Sequence, residues 1–182
     1  MNDSTVPLNT PTLTLSGVRA YYFELLFVGV AVVLPVVAHM AGAPVRMLLP
    51  MHWPVILAGL VYGWRAGAIA GFFAPIVSYA LSGFPLPQIL PSMTVELLTY
   101  GLATGLLREL VRLNPFVSVA IALMLGRFVF ILSVLIGSTT SHSLEYFQAA
   151  LLPGTVAALG QTVLLPFLAK WWIRKERRSV VQ

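Results

Sequence analysis

Six apolar runs, Tyr21–Ala41, Val45–Tyr62, Arg65–Ser82, Pro91–Leu110, Pro115–Gly137 and Ala149–Ile173, follow one another with only short polar breaks. A helix rising ~1.5 Å per residue crosses ~30 Å of hydrocarbon in about 20 residues, and every run falls in that range. Only 9% of the chain is charged, where soluble domains carry about 25%, so there is too little polar surface to face water. The expected fold is an all-α integral membrane protein, a six-transmembrane-helix bundle.

The second and third runs need a break between them, because Met47–Leu81 is almost uninterrupted. As one helix it would be ~52 Å long, far beyond the hydrocarbon, so a turn is expected at Gly63-Trp64-Arg65, where the only charge in this stretch lies. The other connectors hold turn formers and hydroxyl residues: Gly42-Ala43-Pro44, Gly83 to Gln88, Arg108 to Pro115, and Ser138 to Ser143. Residues 1–20 read as a disordered tail, 21–173 as the membrane domain and 174–182 as a basic tail.

Basic residues favour the cytoplasmic side of a membrane protein. With both termini cytoplasmic, Arg19, Arg65, Arg108, Arg112, Lys170, Arg174, Lys175, Arg177 and Arg178 share that side, nine of the eleven. Arg46 lies outside and Arg127 within a span. Trp171-Trp172 then forms an interfacial anchor. The expected location is the bacterial cytoplasmic (inner) membrane, crossed several times. Its outer side receives the connectors Gly42–Pro54, Gly83–Pro91 and Ser138–Phe147, which are long, polar or proline-rich. Aromatic residues do not interleave with basic ones in the spans, which argues against nucleic acid.

Polar groups at membrane depth are costly and mark sites. Glu96 lies in the outer part of the fourth run and Arg127 near the middle of the fifth; they can form a structural ion pair or a ligand-binding one. His52 and Trp53 stand between Pro50 and Pro54, a context poor for helix that would leave backbone groups free for a ligand. Tyr79, Phe84, Met93, Tyr100 and Thr139 complete the expected outer pocket, in which Trp53, Tyr79 and Phe84 stack on a flat heterocycle and Glu96 accepts from its donors. Glu24 reads as a snorkelling or packing residue. No metal-ligand spacing, phosphate-cradling loop or cysteine is present, so no metal, cofactor or catalytic residue is assigned and the chain is not read as an enzyme.

Gly59, Gly63, Gly67 and Gly71 recur every fourth residue. Small residues at this spacing let helix backbones approach closely in lipid. Across the turn at Trp64-Arg65, the two pairs are expected to bring the second and third helices together near the cytoplasmic side.

Four motifs carry a family resemblance: Pro-Met-His-x-Pro-Val (50–55), Ala-Gly-Leu-x-x-Gly-x-x-x-Gly (58–67), Ser-x-x-Leu-Ser-Gly-Phe-Pro (78–85) and Met-x-x-Glu-Leu-x-x-Tyr-Gly-x-x-x-Gly-Leu-Leu (93–107). In their order and spacing the chain resembles the substrate-binding S components of energy-coupling factor (ECF) vitamin transporters. The resemblance implies capture of a vitamin-like small molecule from outside, a transmembrane coupling protein and ATPase subunits as partners, and a stripe of small residues on the first helix touching the coupling protein. That stripe is matched in part, by Ala31, Ala38 and Gly42. Two rival readings stand beside it: a solitary S-component-like transporter, with cobalamin one substrate, and a small intramembrane enzyme using His52 or His142 with Glu96. A structural bundle that chaperones other membrane subunits is a third.

Because the chain lacks cysteine, single cysteines report topology directly. Gly42→Cys should react with a membrane-impermeant maleimide added outside intact cells, and Arg178→Cys only once the membrane is opened.

Overall fold

The computed structural model describes residues 11–14, 17–137 and 144–181. They form seven helices: α1 (Gly17–Met40), α2 (Val45–Leu48), α3 (His52–Tyr62), α4 (Trp64–Ser82), α5 (Leu90–Glu109), α6 (Pro115–Gly137) and α7 (Leu144–Val181). No strand occurs among the described residues. Five segments are long and apolar enough to cross a membrane: Gly17–Met40, Val45–Tyr62, Trp64–Ser82, Pro115–Ile136 and Gly154–Arg178. α5 has the length but not the apolarity. It carries Ser92, Thr94, Glu96, Thr99, Tyr100 and Thr104, and it packs against α3, α4 and α6, so protein rather than lipid surrounds much of it.

The second run is not one helix. Leu49 adopts a left-handed conformation at φ 45°, ending the short α2, and α3 starts afresh at His52. His52 is therefore the first residue of a helix and not part of an irregular segment. The prolines permit this because the first helical N–H groups have no partner within the helix, so Pro54 costs nothing in the opening turn.

The expected turn at Gly63-Trp64-Arg65 is present. Gly63 takes φ 82°, a region that side chains disfavour, and the Glu109 carboxylate at the end of α5 accepts the Trp64 N–H at 3.3 Å. One acidic side chain thus caps the start of α4 from across the bundle.

The glycines do not join α3 to α4, as their spacing suggests. Their partner is α5. A Cβ at Gly59 would stand 2.6 Å from the Gly101 carbonyl oxygen, one at Gly67 would overlap the Gly101 backbone, and one at Gly71 would overlap the backbone of Leu97. Reciprocally, Gly101 faces Gly67, and Gly105 faces Gly63 and Trp64. Two apolar helices therefore close on the polar one, backbone against backbone.

At the end of the bundle carrying Arg19, Arg65 and Arg108, residues assigned to a disordered tail are seated. Thr12 is buried, the Leu13 N–H donates to the Val61 carbonyl at 2.7 Å, and Arg108 donates to the Pro11 carbonyl at 3.1 Å. The first helix begins at Gly17, inside the span given to the tail. The final helix continues beyond Ile173 to Val181, so the described part of the basic tail is helical. Of the anchoring pair, Trp171 is exposed, while Trp172 turns inward to meet Phe23 and Phe27, each at 5.3 Å between rings. Arg19 pairs with Glu176 at 2.8 Å beside them. Glu24 does not snorkel; it is buried. Ala31 is fully buried in the bundle, whereas Gly42 is exposed and Ala38 half-buried, so these three do not make one outward stripe.

Gly101→Leu should lower the melting temperature in detergent by an amount matching at least the ~1–3 kcal/mol of ordinary overpacking, because backbone cannot yield. Gly29→Ala should leave it unchanged, since nothing lies within 4 Å of the added methyl.

Candidate functional site

The centre of the site is a carboxylate that the fold cannot leave to water. Glu96 projects from the second turn of α5 and is 3% exposed. Tyr100, one turn further along the same helix, donates its hydroxyl hydrogen to Glu96 Oε1 at 2.7 Å. Arg127 reaches the same oxygen from α6, with Nη1 at 3.1 Å. From α3, His52 Nε2 stands 4.0 Å from Oε2, beyond hydrogen-bonding distance, and its ring lies 5.3 Å from that of Tyr100. The opposite charges of Glu96 and Arg127 cancel inside the span, which is what makes either tolerable there.

Two glycines provide the space. The Tyr100 ring lies directly on Gly126, and the second guanidinium nitrogen of Arg127, Nη2, lies on Gly154 of α7; a methyl at either position would overlap them. Neither glycine belongs to the ladder.

A cavity lies on each side of this group. The first, about 410 Å³, opens at the end of the bundle opposite Arg19 and Arg108 and is walled by His39, Leu49, His52, Ser78, Phe84 and Met93, among others. The second, about 310 Å³, lies between α6 and α7, with Leu123, Arg127, Ile131, Thr155, Ala158 and Gln161 in its wall. Leu49 borders both. Two buried polar side chains border these spaces with nothing to bond: both ring nitrogens of His52 and both amide atoms of Gln161 have no hydrogen-bond partner among the described residues. Such groups are what a bound molecule would satisfy.

The structure brings together most, but not all, of the expected pocket. His52, Phe84 and Met93 line the first cavity; Glu96, Tyr100 and Arg127 form the charged centre. Trp53 turns away from both cavities. Its indole N–H donates to the Leu48 carbonyl at 2.8 Å, and its ring edge runs beside Gly160 of α7. Tyr79 is over a third exposed and lines neither space, so of the three aromatics expected to stack on a heterocycle only Phe84 remains in place. Glu96 Oε1 is taken by Tyr100 and Arg127, whereas Oε2 has only His52 Nε2 at 4.0 Å and keeps its capacity to accept from a ligand's donors. Thr139, like His142, lies outside the described residues. The sequence reading missed Gln161. A signal existed, since a lone amide in the middle of the last apolar run obeys the same rule that selects Glu96.

The family described as ECF transporter, substrate-specific component, matches residues 26–173. No curated protein and no solved structure matches the chain.

Removing one member of a buried charge pair leaves the other uncompensated. Glu96→Met or Arg127→Met alone should each cost about 3 kcal/mol in unfolding experiments, and the double replacement less than either. Additive losses would show that the two charges do not depend on each other.

Proposed function

The chain belongs to the ECF transporter substrate-specific component family, and we propose that it captures a vitamin-like micronutrient from outside a bacterial inner membrane for uptake. The observation that carries this reading is the buried group of Glu96, Arg127, Tyr100 and His52 set between two cavities. Nothing in that arrangement requires bond breaking. The His52 imidazole, with both nitrogens unused, offers hydrogen-bonding groups to a ligand in the first cavity, and Phe84 and Met93 offer apolar contact.

The first cavity opens at the end remote from the basic turns. With those turns in the cytoplasm it faces the outside, where a scarce nutrient would enter. Transport inward then falls to partners, a transmembrane coupling protein driven by ATPase subunits. This chain contributes selectivity, and its apolar outer faces on α1 and α6, including Leu25, Val33, Phe128 and Leu135, meet lipid or those partners.

Protein purified in detergent should carry a small molecule identifiable by mass spectrometry. His52→Ala and Phe84→Ala should each weaken its binding at least tenfold, and Phe84→Ala, whose side chain is exposed, should do so without shifting the melting temperature of the unliganded protein. Unchanged binding in both variants would remove the first cavity from the capture site.

A further inference from the structure

The cavity between α6 and α7 has a chemistry of its own. Gln161 is completely shut off from solvent, yet its amide N–H groups and its carbonyl oxygen are all unused among the described residues. A side chain buried this way is matched by a group that donates and accepts side by side. The cation in the same wall selects for the same thing. Arg127 is already balanced by Glu96 at 3.1 Å, one cation against one carboxylate. An arriving carboxylate would add a negative charge at membrane depth with no counter-charge left for it. An uncharged carbonyl oxygen avoids that cost and still accepts from Gln161 or from Arg127 Nη2, which lies towards Gly154 on the cavity side. Leu123, Ile131 and Ala158 are apolar, and the Thr155 hydroxyl in the same wall donates to the Leu152 carbonyl at 2.7 Å.

We propose that this second cavity holds an uncharged amide-type edge of the captured molecule, a carbonyl oxygen beside an N–H as in a carboxamide, lactam or ureide, paired with Gln161 and preferred over a carboxylate. The inference rests on the capture reading and names the class of substrate it implies. At about 310 Å³ the space admits a ring-sized fragment bearing such an edge.

The test uses a matched pair of probes, 4-fluorobenzamide and 4-fluorobenzoate, titrated by fluorine NMR into the full chain in detergent after its own ligand has been removed. The amide should bind at least tenfold more tightly than the acid. Gln161→Met, which keeps the volume and removes both hydrogen-bonding functions, should erase that preference, with Gln161→Leu as the second variant if the first does not fold. Gly29→Ala, outside both cavities and with nothing within 4 Å of the added methyl, should leave it unchanged. Equal affinity for the two probes, a preference that survives loss of the amide side chain, or one that vanishes with Gly29→Ala would each overturn the assignment. Mass spectrometry of the released ligand separates the two readings. If a molecule is captured but the amide preference is absent, this inference alone falls; if nothing co-purifies and no uptake is found, the capture reading falls too.

Discussion

Everything else in this bundle depends on how closely the backbones of Gly67 and Gly101 approach. α5 is too polar to face lipid, and α4 is apolar on its outer side, with Phe72 and Phe73 exposed. Without side chains at the contact, α4 lies flat against α5 and shields it, and Gly59 lets α3 close on the same Gly101. In lipid, where apolar side chains gain little by leaving one apolar medium for another, such contact is a main source of helix association. The polar helix becomes the axis of the fold because its neighbours are smooth.

That position decides the chemistry. Once α5 is central, Glu96 has no route to water and must be neutralised by side chains brought from α6 and from its own next turn. Gly126 and Gly154 then allow Tyr100 and Arg127 to lie flat on the adjoining backbones. The charges are absorbed within the protein, and beside them hydrogen-bonding capacity is left unmet at His52 on one side and Gln161 on the other. A site with neutralised charge at its centre and unused donors and acceptors at its edges is suited to binding, since it presents matching groups without activating any of them.

Much of this was legible in the chain because span length and charge distribution are local properties. Pro115–Gly137 was readable to the residue, and the break at Gly63 followed from hydrocarbon thickness alone. Helix partners were not legible in the same way. The spacing of Gly59 to Gly71 says that some backbone must come close, but the choice of α5 over the adjacent antiparallel helix depends on Gly101 and Gly105 lying in register, a tertiary fact. Side-chain direction failed for a related reason. Starting α3 at His52 rather than several residues earlier sets the rotation of the whole first turn, which turns His52 inward and swings Trp53 towards α7. His52, Glu96 and Arg127, whose burial has an energetic reason, come together as their polarity suggests, although Gln161 was missed, whereas Trp53 and Tyr79 lie elsewhere because an aromatic ring is as stable against a neighbouring helix as against a ligand.

The 38 residues of α7 correspond to about 57 Å of helix, nearly twice the thickness of the hydrocarbon. Gln161 in the cavity wall and Arg178 near the far end belong to this one continuous helix, about 26 Å apart along its axis, with Pro166 between them. A tilt of roughly 10° pivoting at Gln161 would sweep the basic end through about 4–5 Å, an amplification that comes from length alone. The aromatic seat of Trp172 against Phe23 and Phe27, together with the Arg19–Glu176 bridge, is then the detent that sets the helix's resting angle. Length alone thus makes the position of this cationic end sensitive to small changes in how α7 sits against its neighbours.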